Sequence, residues 1–185
     1  MLVSLTLEEH RVLSDSPERE AARLEFDVEQ IYEQTRAAIC SYLLSLGVPE
    51  EQAPEVTQEV YLRLYQTMSK GEQILNLRAW VFRVAHNLGL KVRSREKALR
   101  AISPDWNQFA DYSPHSPERT ILDREKMQRV QAALETLSPQ QRNCLFLRSE
   151  GLRYREIAEV MGISLSTVNE FLRRAISRLA EALHA

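Results

Sequence analysis

Apolar residues recur at helical spacing through most of the chain. Val56, Val60, Leu64 and Met68 fall four apart, the stripe of an amphipathic helix from about Pro49 to Met68. Its other face carries Glu55, Gln58, Glu59 and Arg63. Ahead of it, Ile31, Ala38, Tyr42 and Leu46 predict a helix from about Phe26 to Leu46, with Gly47 at the expected stop. A third helix is predicted from about Asn76 to Arg100. It opens apolar (Leu77, Trp80, Val81, Val84, Leu88) and closes basic (Lys91, Arg93, Arg95, Lys97, Arg100). Residues 101–120 then carry three prolines and no stripe, which reads as a linker between two helical units.

The second unit begins at Ser116-Pro117-Glu118, an N-cap serine with proline at the first helical position. Ser16-Pro17-Glu18-Arg19 repeats the tetrapeptide at 116–119 and is read as another helix start. Ile121, Met127, Val130 and Leu134 stripe the helix from Pro117 to about Thr136. Ser138-Pro139-Gln140-Gln141 supplies a capping box for the next helix, which carries Cys144, Leu145 and Leu147 and is broken at Gly151. Then comes the most informative stretch, Tyr154 to Leu172. A short helix with Ile157, Ala158 and Met161 is followed by Gly162, placed for a turn with positive φ. Ile163 fills the space between helices, Ser164 can cap the second one, and Val168 and Leu172 form its inner face. A helix-turn-helix needs these residue types at this spacing. Its second helix enters the major groove, which puts Ser166, Thr167, Asn169, Glu170 and Arg173 toward bases. An ordinary helical hairpin satisfies the same spacing. The fold class expected is all-α: two small helical bundles joined by a flexible linker, the C-terminal one containing the helix-turn-helix. The expected divisions are an extension at 1–25, a first bundle at 26–100, a linker at 101–116 and a second bundle at 117–185.

Composition narrows the classes. Among 185 residues, 44% are hydrophobic and only five are glycine, enough apolar content for packed cores and little to oppose helices. No run approaches membrane-spanning length, and the start reaches Glu8 without a basic leader, so a cytoplasmic chain that avoids the membrane is expected. Cys40 and Cys144 stand far apart with no histidine at ligand spacing, which excludes a disulfide scaffold and argues against any metal site. No Ser/His/Asp set or phosphate-binding glycine loop is present, so neither catalysis nor a cofactor is expected. The net charge of −2 hides strong segregation: −5 over residues 26–68 against +6 over 69–100. An acidic block beside a basic one suggests a basic partner and a polyanionic one, unless the clustering is accidental.

Several of these stretches resemble bacterial RNA polymerase sigma factors. Leu137-Ser138-Pro139-Gln140-Gln141-Arg142, Gly151-Leu152-Arg153-Tyr154-Arg155-Glu156-Ile157-Ala158 and Thr167-Val168 resemble their C-terminal domain. The segment Glu55-Val56-Thr57-Gln58-Glu59-Val60-Tyr61-Leu62-Arg63 is similar to the helix that binds core polymerase, and Asn76 to Leu88 resembles the helix that melts and reads the minus-ten element. Two units with no third domain between them is the plan of the extracytoplasmic-function subgroup of the sigma-70 family.

The resemblance implies a transcription initiation factor. Glu55, Gln58, Glu59 and Arg63 would bind the β′ clamp helices of RNA polymerase core, and the C-terminal unit would meet the β flap and the minus-thirty-five element. Trp80, Arg83, His86, Asn87, Lys91, Arg93, Arg95 and Lys97 would bind promoter DNA around the minus-ten element. Arg155, Ser166, Thr167, Asn169, Glu170, Arg173 and Arg174 would do so through the helix-turn-helix. An anti-sigma factor is a further partner of the family. On the residues alone, Trp80 also suits the core, His86 a packed position, and the basic helix end a solvated terminus favoured by the helix dipole. Where relatives often carry basic residues after the Thr-Val pair, this chain has Asn169, Glu170 and Phe171. An amide can pair with adenine and a carboxylate with cytosine N4, while Phe171 either meets a thymine methyl or is buried beside Val168. These departures support the alternative of a sigma-like module that binds polymerase or a regulator without reading promoters.

Overall fold

A computed structural model describes residues 17–102 and 121–184. They form seven helices: α1 Pro17–Ser45, α2 Ala53–Ser69, α3 Leu77–Ile102, α4 Ile121–Glu135, α5 Pro139–Ser149, α6 Tyr154–Met161 and α7 Leu165–His184. The linker expected at 101–116 and the helix start at Pro117 lie outside the described residues, except that α3 runs on through Ala101 and Ile102. The largest correction is at the other end. α1 begins at Pro17, not near Phe26, so the last nine residues of the expected extension are helical. The Ser16-Pro17 signal was the right one: proline suits the first helical turn, and Ala21, Ala22 and Arg23 favour continuation.

In the first bundle α1, α2 and α3 share a core of fully buried Ile39, Tyr42, Leu43, Val60, Leu64, Val81, Phe82 and Ala85, from the faces that the stripes predicted. Each large aliphatic side chain sealed in this way contributes roughly 1.5–3 kcal/mol. Gly89 is fixed by a close approach: an added Cβ would lie 2.9 Å from Leu46 Cδ1 and 3.0 Å from Leu43 Cδ2. A polar pair is sealed into the same bundle, where Thr35 Oγ1 donates to Ile31 O and meets Tyr61 Oη at 2.8 Å. Burial pushes the Tyr61 phenol up to about 12.

The second bundle, α4 to α7, closes over Leu137, Cys144, Leu147, Ile157, Val168, Leu172 and Ala175. Ser138 Oγ accepts from Gln141 N while Gln141 Oε1 accepts from Ser138 N, the capping box expected at α5. Gly162 adopts φ 65° and ends α6, and Ser164 Oγ accepts from Thr167 N to start α7. Arg178 Nη1 reaches Thr136 O at 2.8 Å and ties the far end of α7 to α4. Burial pushes the Cys144 thiol up to about 11, so it is a packed, protonated thiol.

The bundles touch. α6 lies along α3, and Phe146 of α5 sits 5.4 Å from the Tyr42 ring and 6.5 Å from Phe82. Arg78 of α3 pairs with Glu150 at 2.5 Å and also donates to its backbone oxygen at 2.7 Å. None of the helices, among the described residues, is long and apolar enough to cross a membrane.

Candidate functional site

Three outward faces carry the residues of interest. On α2, Glu55, Gln58 and Arg63 are exposed and Glu59 is half-buried, with Arg63 Nε donating to Glu59 Oε1 at 2.7 Å. The same face holds two residues that the stripe did not single out. Leu62 is 51% exposed and Tyr65 40%. Both were legible as apolar positions off the Val56-Val60-Leu64-Met68 line. A large aliphatic and an aromatic side chain left in water one turn or more beyond Glu55 and Glu59 make a face suited to a partner.

On α3 the expected residues divide by helical position. Arg83, Asn87, Lys91 and Arg95 are exposed and four apart, so they form one outward stripe. Lys97 is exposed on another side of the helix. Arg93 is diverted: its Nη1 donates to Leu46 O at 3.3 Å, and its Cδ would lie 3.5 Å from a Cβ placed on Gly47. It closes the C-terminus of α1, where orphan carbonyls attract cations. His86 departs from the DNA-facing position that the resemblance implied and takes the packed one. It is buried rather than turned to the outward face, and its Nδ1 lies 2.9 Å from Tyr42 Oη. Burial, with Arg93 nearby, holds the imidazole below the usual histidine range, and burial pushes the Tyr42 phenol well above its own. The two groups therefore meet as a neutral phenol and a neutral imidazole, sharing one hydrogen bond. Trp80 is half-buried against the core and lines a groove of about 460 Å³ with Leu75, Asn76, Arg83, Glu156 and Glu159.

On α7, Ser166, Asn169, Glu170, Arg173 and Arg174 are exposed, as is Arg155 on α6. Tyr154, Arg155, Leu165, Ser166 and Asn169 line one shallow groove. Thr167 is half-buried, and its hydroxyl lies 2.7 Å from the capping Ser164 Oγ. Glu170 pairs with Arg174, one turn away, so that guanidinium is already engaged. Phe171 is half-buried against the core, the packed alternative. No group of three or more His, Cys, Asp or Glu that could hold a metal occurs among the described residues.

Two family descriptions match the chain: Sigma-70 region 2 over residues 31–98 and Sigma-70, region 4 over residues 127–179. Together they cover more than half of it. The chain belongs to the sigma-70 family, in its extracytoplasmic-function subgroup. Region 2 takes in α2 and most of α1 and α3, while region 4 runs from α4 into α7. Among the curated relatives, this sigma-70 chain is 29% identical over 137 residues to the ECF RNA polymerase sigma factor SigE of Mycolicibacterium smegmatis. That alignment takes in 72% of this chain but only 52% of the relative, so the chain spans about half of that protein's length. It is 26% identical over 150 residues to the RNA polymerase sigma factor YlaC of Bacillus subtilis, covering 80% of this chain and 87% of YlaC. Its fold is similar to the sigma factor RpoE of Bartonella quintana, solved with the anti-sigma factor NepR, with a TM-score of 0.64 at 23% identity. That superposition covers 86% of this chain and 98% of RpoE.

Proposed function

We propose that this chain binds RNA polymerase core in the cytoplasm and directs promoter-specific initiation, with no catalytic step of its own. The observation that carries the reading is the pairing of two unlike outward faces on neighbouring helices of one bundle. α2 presents Glu55, Gln58, Glu59 and Arg63 around exposed Leu62 and Tyr65, while α3 presents Arg83, Asn87, Lys91 and Arg95. The first suits a basic protein surface such as the β′ clamp helices, with the apolar pair at its desolvated centre. The second suits phosphates, and Asn87 adds an amide for a base edge. Residues 26–100 then serve the minus-ten element, and 117–185 the minus-thirty-five element and the β flap. Within the second unit, Ser166, Asn169, Glu170 and Arg173 face bases, and Arg155 steadies the phosphate backbone. An anti-sigma factor is a further partner in this reading.

Run-off transcription with core polymerase on the chain's own upstream region tests it. Specific transcripts that need the chain are expected, and failure to join core or to impose a start site refutes the proposal. One observation favours a second reading, a module that binds polymerase or a regulator without reading promoters. The Glu170–Arg174 pair consumes a cation on the helix that should read DNA. Core binding without specific transcripts would select that reading.

A further inference from the structure

α7 opens beside the start of α6, and the chemistry left outward there is unlike that of the rest of the helix. Ser164 Oγ, which caps α7 through Thr167 N, also lies 2.8 Å from Ser166 Oγ and 2.7 Å from Thr167 Oγ1, so both hydroxyls are tied into the cap. Phe171, the aromatic that the sequence offered to a thymine methyl, packs against the core. Two other apolar side chains stay in water. Leu165, the first residue of α7, is 46% exposed, and Tyr154, the first residue of α6, is 36% exposed. They line one shallow groove with Arg155, Ser166 and Asn169. The Arg148 guanidinium stands over the Tyr154 ring at 5.8 Å while its Nη1 donates to Leu152 O at 3.1 Å, so this wall of the groove is held from α5. A lone exposed leucine is ordinary, but an apolar pair converging on an exposed amide has the make-up of a binding site.

Resting on the function proposed above, we infer that Tyr154 and Leu165 form an apolar seat for the C5-methyl group of a thymine in the major groove, close to the base that Asn169 reads. The thymine methyl is the apolar group that the major groove presents, and it distinguishes thymine from cytosine. Position agrees. Leu165 and Asn169 are four apart, on one face of α7 and about 6 Å apart along its axis. Base pairs stack about 3.4 Å apart, so the methyl and the base met by the amide lie within about two steps of each other. Charge agrees as well. Arg153 and Arg155 are exposed at the start of α6, and Arg173 is exposed one turn beyond Asn169, a setting that suits a polyanion. Seating the methyl takes it and the outer surfaces of Leu165 and Tyr154 out of water together, a gain that cytosine in the same place does not give. Asn169 then supplies the hydrogen-bonded reading, and the pair beside it supplies a reading by apolar contact.

The decisive change is made in the DNA, which leaves the protein intact. Replacing each thymine in turn by deoxyuridine, on both strands of the minus-thirty-five region, deletes one methyl and keeps every hydrogen-bonding group of the base. Holoenzyme reconstituted from the full chain and core polymerase should bind one such duplex about fourfold more weakly than the parent, and the others much as before. Leu165→Ala should bind that duplex and the parent equally, whereas Asn169→Ala should keep the fourfold difference. Tyr154→Phe should keep it too, because the ring and not the hydroxyl makes the wall, and Tyr154→Ser should lose most of it. If no deoxyuridine weakens binding by the wild type, or if the penalty survives in Leu165→Ala, the methyl seat is overturned. A Leu165→Ala chain that binds every duplex like the wild type but loses an anti-sigma factor would also overturn it and assign the pair to a protein partner. A sequence preference without any deoxyuridine penalty refutes the seat alone. A holoenzyme that prefers no upstream sequence refutes the proposed function, and the seat with it.

Discussion

α3 and α7 each bury one side in a bundle and turn the other toward solvent, but they distribute charge differently on both sides. Outward, α3 presents Arg83, Lys91 and Arg95, which have no carboxylate within ion-pairing distance among the described residues. α7 spends Arg174 on Glu170 and is left with Arg173 beside Ser166 and Asn169. Inward, α3 buries a histidine hydrogen-bonded to Tyr42, whereas α7 buries Val168, Leu172 and Ala175. Under the function proposed above, that difference divides the labour: α3 would supply sequence-independent grip, and α7 discrimination with little net charge.

The inner face of α7 should give the largest response. Leu172 is fully buried, and Leu172→Ala should destabilise the second bundle by about 2–5 kcal/mol through lost burial and a cavity. Denaturant melts would measure this, and core binding through α2 should survive. A loss below about 1 kcal/mol would mean that the site collapses and that α7 is less firmly seated than it looks.

Charge reversal on α3 comes next. Lys91→Glu with Arg95→Glu should weaken binding of the reconstituted holoenzyme to promoter DNA about 100-fold near 0.1 M salt and flatten the salt dependence by about two phosphates or more. Core affinity should not change. Arg93→Glu belongs to a different class, since Arg93 closes α1 at Leu46 O, and its main effect should be on stability. If Arg93→Glu alone reproduced the DNA defect with an unchanged melt, the division of α3 into an outward stripe and a structural arginine would be wrong.

On α7 smaller and more selective effects are expected. Asn169→Ala should cost about tenfold at one base pair of the minus-thirty-five element and little elsewhere, read from binding to single-base variants of that element. Glu170→Gln should free Arg174 and raise affinity for all sequences about threefold, with a steeper salt dependence. A uniform loss from Asn169→Ala would instead make α7 another backbone-gripping helix like α3.

Much of this contrast was legible in the sequence, and its limits are physical. Val56-Val60-Leu64-Met68 placed the inner face of α2, and Ser138, Gln141, Gly162 and Ser164 placed the caps and turn, because these signals act within one turn of helix. The basic block after Leu88 was visible as charge, but its split was not. Arg93 is diverted by Leu46 O, 47 positions away, a contact that only packing creates. For His86 the residues alone allowed a packed position and the resemblance a base-reading one, and only the contact with Tyr42, from another helix, decides for the first. The contact between bundles had no local signal either: Asn76 and Glu156 each look like an ordinary cap until the helices meet. The start of α1 was different, because Ser16-Pro17 marked it and the apolar stripe from Ile31 drew the boundary too late.

The inner faces also predict a smaller effect, a difference in response to acid. His86 titrates below the usual histidine value because burial disfavours its charged form, and Arg93 adds to the shift. Between that depressed value and about pH 6.5 the unfolded chain binds the proton more readily than the folded one. The stabilisation tied to neutral His86 is therefore complete above about pH 6.5 and is lost as pH falls through the depressed folded value. Melting temperatures should fall between pH 7.5 and 5.5, and His86→Gln should fall less over that interval, because an amide can hydrogen-bond Tyr42 as donor or acceptor but does not titrate. Hydrogen exchange would locate the loss. Amides of α1 and α3 should open first on acidification, while those of α7, whose buried face carries no titrating group, should hold. The reverse order would mean that acid acts through the exposed carboxylates and not through the buried pair.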